Sequence, residues 1–249
     1  MKKHSMNRMV FVSVMLATVL ALGKEDVSVR KVLIVTGGHG FDVKEFYEMF
    51  DALPGITYDK AKLPQEMDLL APGLEKKYDA VVSYDMNNFP ITDVQRMSFD
   101  KLMQTGMPLV VFHHSICGYK NWPKYREIAG GAYLFEKLET DGKTWPSSAY
   151  KHDIEMKITI ADKKHPITKG MDDFVILDEA YKDVYVRPDV HVLLTTDNPF
   201  ATKQVAWVHH YVNSPVFTIM LGHDKHAFAN ESLRKLLTQG IDWIVSEKK

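Results

Sequence analysis

Short apolar runs rich in β-branched residues alternate with helical patterns along the first half of this chain, and this alternation constrains its fold most. Runs at 32–36, 79–84 and 109–112 have the length and composition of buried strands. Each run is followed by a helical pattern that a glycine ends. Such alternation is typical of a mainly parallel sheet with helices on both faces. At 154–160 apolar and polar residues alternate, which predicts an antiparallel extension or a flap beside the sheet.

The N-terminus has the pattern of a signal peptide. Three basic residues among the first eight precede an apolar run at 10–22, and 21–23 offers small residues at signal-peptidase spacing. The run is shorter than the about 20 residues that a membrane span needs. We therefore expect a signal peptide over 1–23 and a periplasmic or secreted protein with no stable membrane anchor after cleavage. An uncleaved anchor helix is the alternative. No linker divides the rest, so 24–249 is predicted to be a single domain.

Charge and cysteine content exclude some classes of partner. The chain has 31 basic and 32 acidic residues, and loss of Lys2, Lys3 and Arg8 with the signal peptide changes its net charge from −1 to −4 (28 minus 32). A mildly acidic chain without a basic stripe argues against nucleic acid as a partner. Cys117 is the single cysteine, so no internal disulfide can form.

Several of the 11 histidines come directly after predicted strands. In open α/β sheets, ligands bind outside the carboxyl ends of the strands. If these strands are parallel, the histidines meet in one cleft, whereas antiparallel strands send some of them to the opposite edge. The candidates are His39, His113, His114, His209, His210 and His223.

Two acids at Asp178-Glu179 could supply a carboxylate to these histidines, or they could simply be solvated. Two histidines and a carboxylate with an open position are a recognised site for Zn²⁺ and other divalent ions, which gives His113, Glu179 and His223 as candidate metal ligands. The same set without metal can act as general acid and base. Both interpretations stay open at this point.

Two glycine-containing turns lack the features of familiar catalytic motifs. The turn at 37–41 has neither a P-loop ending nor the dinucleotide-binding spacing of three glycines, so no nucleotide cofactor is expected. The turn at 113–118 stands where a nucleophile elbow would lie, but His113 follows the strand directly. Ser115 and Cys117 come too far along the chain, so nucleophilic catalysis is not expected.

A series of motifs in a fixed order resembles the ThuA-like family, which is named for trehalose utilisation. The resemblance covers about 31–245. His152 corresponds to a Gly-His-Pro motif of that family, although this chain has Lys151-His152-Asp153 there. The motifs are His113, Gly130-Gly131, His165-Pro166-Ile167-Thr168, Asp178-Glu179-Ala180-Tyr181, Trp207, Gly222-His223 and Trp243.

The resemblance implies a fold similar to the class I glutamine amidotransferases, a flavodoxin-like three-layer α/β/α sandwich. His113 stands near the position of the catalytic cysteine of those enzymes, so amidotransferase activity is not expected. The family is associated with sugar catabolism, including disaccharides oxidised to keto-sugars before cleavage. It implies a central role for His113, Glu179 and His223, and a secondary role for His39, His152 and Asp178.

These features together predict a carbohydrate-processing enzyme that cleaves or rearranges a glycoside or keto-sugar. The catalytic candidates are His113, Glu179, His223, His152 and Asp178. His113 or His223 would act as the base, and a divalent metal would polarise the ketone. A small carbohydrate would contact His39, Tyr84 and His114.

Two alternatives remain. A non-catalytic sugar-binding or regulatory module would stack sugars on aromatic side chains. A metal-dependent esterase or deacetylase would use the same histidine and carboxylate set. The aromatic candidates for the first alternative are Tyr84, Phe89, Tyr119, Trp122, Trp145 and Trp207.

Overall fold

The computed structural model describes Met1, residues 29–140 and residues 142–248. Apart from Met1, the predicted signal peptide lies outside the described residues, and the expectation of export stays a prediction. Among the described residues no helix is long and apolar enough to cross a membrane.

Thirteen strands and five α-helices form in the described part of the chain. The strands are β1 (Arg30–Gly37), β2 (Ile56–Leu63), β3 (Ala80–Asp85), β4 (Leu109–Phe112), β5 (Gly131–Ala132), β6 (Leu138–Thr140), β7 (Lys143–Trp145), β8 (Ala149–Ile160), β9 (Phe174–Lys182), β10 (Tyr185–Val186), β11 (His191–Thr195), β12 (Gln204–Tyr211) and β13 (Ser214–Ile219). The helices are α1 (Val43–Asp51), α2 (Asp93–Gln104), α3 (Pro123–Ala129), α4 (Lys225–Phe228) and α5 (Glu231–Ser246).

Nine strands form one sheet in the order β2-β1-β3-β4-β13-β12-β11-β8-β9. The first five strands in this order are parallel, and the last four join by antiparallel pairing. The α/β fold, the parallel half and the antiparallel extension are therefore confirmed. The sequence pattern missed β2 as a strand, because an edge strand with polar residues lacks a continuous apolar run.

Two helices cover opposite faces of the sheet centre. Phe217 and Thr218 are neighbours on β13, so their side chains point to opposite faces. A Cβ added to Gly240 of α5 would lie 2.5 Å from the Phe217 ring. The Thr218 hydroxyl donates to the Ala129 carbonyl of α3 at 2.7 Å. Strands β3, β4 and β13 are buried along their whole length, as expected for the middle layer of a three-layer sandwich.

Strands β8 and β9 form a long hairpin that brings residues to the carboxyl edge of the parallel strands. Strand β11 pairs with β8 only at Leu194↔Ile160 and Thr195↔Thr159. The register of the hairpin shifts between Lys151 and Ile154, as in a β-bulge. Because β9 runs parallel to β13, the end of β9 and the beginning of β8 lie at the edge where β4 and β13 end.

Candidate active site at the carboxyl edge of the sheet

His113 begins the site because the chain turns sharply there. Strand β4 ends at Phe112, His113 has a positive φ of 48°, and a short 3₁₀ turn follows at His113–Cys117. A strained residue between a strand and a helical turn is the geometry of a nucleophile elbow, here with an imidazole at the tip. The ring is fully buried, and its Nδ1 donates to the Met220 carbonyl at 2.7 Å. The lone pair of a neutral His113 is therefore on Nε2.

Three polar atoms surround Nε2 of His113. Glu179 Oε2 and His223 Nδ1 each lie 3.1 Å from it, and the Tyr181 hydroxyl lies at 3.0 Å. Glu179 Oε2 and His223 Nδ1 are 3.3 Å apart. Tetrahedral ligands with bonds of about 2.0 Å are about 3.3 Å from one another. The three donors of His113, Glu179 and His223 therefore have the types and spacing that a divalent ion requires.

His152 joins this group through the second carboxylate oxygen. Its Nδ1 lies 3.2 Å from Glu179 Oε1, and its side chain is half exposed. The residue occupies the bulge of β8, where two residues oppose one on β9. His152, Glu179 and His223 can also place one ligand atom each within 4.8 Å of the others. We call His113, His152, Glu179 and His223 the histidine–glutamate cluster.

The charges of the cluster support one another. Burial acts to raise the pKa of Glu179, but hydrogen bonds with His113 and His223 outweigh it and hold that pKa well below its usual range. Burial acts to lower the pKa of His223, but the adjacent Glu179 carboxylate outweighs it and raises that pKa. Glu179 is therefore ionised at neutral pH, and the site has a negative charge available to a cation or a protonated imidazole.

Asp178 holds the His223 loop in place. One carboxylate oxygen accepts from the backbone N–H groups of Glu179 at 2.8 Å and His223 at 2.9 Å, and the other accepts from Gly222 at 2.6 Å. Burial raises the pKa of Asp178, which these three bonds counteract. Its position supports the orientation of His223, so Asp178 acts on the cluster through the backbone.

Two residues predicted to bind substrate are buried instead. Tyr84 is fully buried, and its hydroxyl donates to the Gly222 carbonyl at 2.9 Å. His114 is 2% exposed, with its ring between His39 and Tyr84. Both residues are buried because the sheet centre is covered on both faces, and their direct contact with a substrate stays a prediction.

His39 lies at the surface beside the cluster. Its ring centroid is 6.1 Å from that of His223, and burial lowers its pKa. It lines a pocket of about 200 Å³ together with His152 and Glu179. His39 therefore has the access that a substrate-binding residue needs.

Aromatic side chains supply much of the remaining wall of this pocket. Sequence reasoning missed them, although a signal was present: Tyr150 precedes His152 by two residues and Tyr181 follows Glu179 by two, so each pair shares one face of its strand. The aromatic wall consists of Tyr133, Phe135, Tyr150 and Tyr181.

Other candidates lie outside the pocket. His209 and His210 close β12, which is antiparallel to β13, so they lie at the opposite edge of the sheet. Trp207 is fully buried and its indole N–H donates to Ala129, whereas Tyr119 and Trp122 line a separate groove of about 290 Å³. Phe89 and Trp145 do not line the pocket either.

Neither candidate nucleophile of the 113–118 turn is activated. Cys117 lines the pocket but is buried, and burial raises the pKa of its thiol, which keeps it protonated. Ser115 is fully buried, and its hydroxyl bonds to that of Tyr125 at 2.8 Å.

Comparison with known proteins finds a family model that matches most of the chain. The family model ThuA, described as trehalose utilisation, matches residues 31–244. A ThuA-like protein from Parabacteroides merdae is 19% identical, with a TM-score of 0.71 over 89% of this chain and 91% of that one. One from Bacteroides uniformis is 20% identical, with a TM-score of 0.65 over 88% and 93%.

Amidotransferase-type folds are also similar. PurLQS from Thermotoga maritima is 14% identical, with a TM-score of 0.53 over 86% of this chain and 98% of that one. At these identities the similarities establish the fold, and they confirm the flavodoxin-like, amidotransferase-like architecture. No curated protein matched the chain.

Proposed function

Because this chain belongs to the ThuA family, which is described as trehalose utilisation, we propose that it is an enzyme that cleaves or rearranges a glycoside or keto-sugar. The observation that carries the proposal is the histidine–glutamate cluster, which opens on a pocket with an aromatic wall. Aromatic faces suit sugar rings, and the clustered ionisable groups exceed what sugar binding alone requires.

The cluster fits a divalent ion. His113 Nε2, His223 Nδ1 and Glu179 Oε2 would hold it, and it would polarise the carbonyl oxygen of a bound keto-sugar as a Lewis acid. Asp178 and the Met220 carbonyl keep the two imidazoles in the required orientation.

His152 is the best-placed base of the cluster, in preference to the buried His113 and to His223. It lines the pocket, and its Nδ1 lies 3.2 Å from Glu179 Oε1, which leaves its Nε2 as the nitrogen that would take the proton. A ketone acidifies the C–H bond next to it. Transfer of that proton to His152 leaves the electron pair as an enolate, whose collapse breaks the glycosidic C–O bond. The leaving sugar oxygen then takes the proton back from His152.

Metal content and turnover together test this proposal. We expect protein purified without a His-tag to contain close to one divalent ion per chain by elemental analysis, and His223→Ala to lose it. We expect His152→Ala to keep the ion and to lose turnover of keto-glycosides by about 10²–10⁴-fold, the usual range for general acid–base catalysis. His210→Ala, at the opposite sheet edge, is the matched control and should change neither. Full activity of His152→Ala would refute its assignment.

A sugar-binding module is the second candidate, and the aromatic wall favours it. In that case the wild type would bind mono- or disaccharides in calorimetry without converting them, and Tyr150→Ala would weaken binding while His152→Ala would not. Turnover of acyl esters or N-acetyl sugars in place of keto-glycosides would instead indicate a metal-dependent esterase or deacetylase.

A further inference from the structure

His114 is a buried imidazole that the proposed mechanism leaves without a role. It is 2% exposed, and both its ring nitrogens are buried without a hydrogen-bond partner. The backbone of Tyr84 passes near the ring but forms no hydrogen bond of ordinary geometry with it. Buried polar groups are almost always paired, and an unpaired one destabilises the folded state. Such a side chain points to a ligand.

One group of donors lies within reach of His114. His113, His114 and His223 can each place a ring nitrogen within 4.8 Å of the other two. Donors on opposite sides of an ion with bonds of about 2.1 Å are about 4.2 Å apart, so His114 has to move toward His113 and His223 to share one ion with them. His113 and His223 are already the imidazoles of the proposed metal site.

We propose that His114 is a fourth donor to the ion in the histidine–glutamate cluster, so that the ligands are His113, His114, His223 and Glu179. This inference rests on the proposed metal site and extends it. Catalytic zinc keeps three protein ligands and one open position, and a fourth protein donor would close a tetrahedral site. A catalytic site with four donors therefore requires an ion that accepts five or six ligands, such as Mn²⁺, Fe²⁺, Co²⁺ or Ni²⁺.

The stability of His114→Leu separates ligation from packing. In chelator-treated protein, leucine removes two unpaired nitrogens from a buried position, so we expect the melting temperature to rise above that of the wild type. With Co²⁺ added, the wild type should have the higher melting temperature of the two. Co²⁺ affinity should fall by about tenfold or more, because loss of even an outer-shell partner costs 10–100-fold. If His114 were purely structural, His114→Leu would shift the melting temperature in the same direction with and without Co²⁺.

Cobalt absorption provides the second measurement. The wild type loaded with Co²⁺ should show the weak visible bands of a five- or six-coordinate ion, and His114→Leu and His114→Gln should show altered bands. His210→Leu is the matched control and should leave affinity, spectrum and stability unchanged. Strong four-coordinate bands that His114→Leu leaves unaltered, with loss of Co²⁺ only in His223→Ala, would overturn the role of His114 and leave the proposed metal site intact. No Co²⁺ binding by the wild type would overturn both.

Discussion

At the scale of single residues, the position of His223 depends on two residues that support its backbone. Asp178 and Gly222 lie behind His223 and determine where its imidazole points. Gly222 has a φ of 114°, and a Cβ there would lie 2.2 Å from the Phe112 ring. The turn that carries His223 therefore requires glycine for two separate reasons: the backbone has a positive φ, and the Phe112 ring leaves no room for a Cβ.

The substitution Gly222→Ala should lower the free energy of unfolding through both backbone strain and the contact with Phe112. Gly73→Ala should lower it through backbone strain alone. Gly73 has a φ of 106° with nothing within 4 Å of an added Cβ, so it reports backbone strain alone, about 1–3 kcal/mol. We expect a larger loss of unfolding free energy for Gly222→Ala, accompanied by loss of bound metal. Urea unfolding and elemental analysis measure the two effects. Equal losses in the two variants would show that the contact with Phe112 is relieved at no cost.

Asp85 makes stability depend on pH. It is fully buried at the end of β3, and burial raises its pKa from 3.8 to about 6, against the hydrogen bonds from Ser83 and the Asn87 backbone. Between these values the folded chain holds a proton that the unfolded chain has released. The free energy of unfolding should therefore fall as pH rises from about 4 to 6, by up to about 3 kcal/mol, and the loss should persist at higher pH.

The variant Asp85→Asn lacks this proton, so its stability relative to the wild type should increase across the same pH window. Urea unfolding at several pH values measures the difference. The control Asp93→Asn replaces an 88% exposed acid and should retain the wild-type profile. Parallel profiles for Asp85→Asn and the wild type would contradict the assignment.

At the scale of elements, the β8–β9 hairpin assembles the site. Its two strands bring His152, Glu179 and Tyr181 to the carboxyl edge from the far end of the sheet order. The bulge at 152–153 includes Asp153 at a φ of 56°, a left-handed conformation that β-branched residues avoid. The position of His152 thus depends on a local backbone irregularity and on the pairing around it.

Substitutions of Asp153 should separate backbone conformation from side-chain chemistry. Asp153→Gly accepts the left-handed conformation, so we expect unchanged or slightly higher stability, by up to about 1 kcal/mol, and wild-type turnover. Asp153→Val should cost about 1–2 kcal/mol and reduce turnover as His152→Ala does, with metal retained. Thermal melts, metal content and kinetics measure these outcomes. Normal turnover by Asp153→Val would mean that the bulge does not position His152.

At the scale of the whole molecule, the site joins distant parts of the chain. His113 and His223 are 110 residues apart and 3.1 Å from each other in space. They meet because β4 and β13 are adjacent and parallel, and Glu179 crosses over from the antiparallel extension. An ion held by these three residues would connect both halves of the sheet.

Metal removal should therefore lower the stability of the whole fold. A ligand at 100 times its dissociation constant adds about 2.7 kcal/mol to the free energy of unfolding. We expect dialysis against a chelator to lower the melting temperature and restored metal to return it, whereas His223→Ala should melt at one temperature in either buffer. An unchanged melting temperature of the wild type after complete metal removal would indicate that no ion is held in the folded state.

The sequence by itself determined the buried apolar strands, the helices between them and the residue types available for chemistry. Apolar periodicity is a local property, so it predicted β1, β3, β4 and the parallel half of the sheet. The expectation that His113, His223 and Glu179 meet needed only the rule that parallel strands present their carboxyl ends at one edge, together with the family resemblance.

Only the tertiary structure decided strand direction and access. The antiparallel course of β12 sends His209 and His210 to the other edge, and nothing local in the sequence encodes that direction. Tyr84 and His114 are buried because helices and loops from elsewhere cover both faces of the sheet centre. The aromatic wall of the pocket forms where the hairpin meets the 133–135 segment. Exposure and contact are set by which distant segments pack together, and this is a property of the assembled layers.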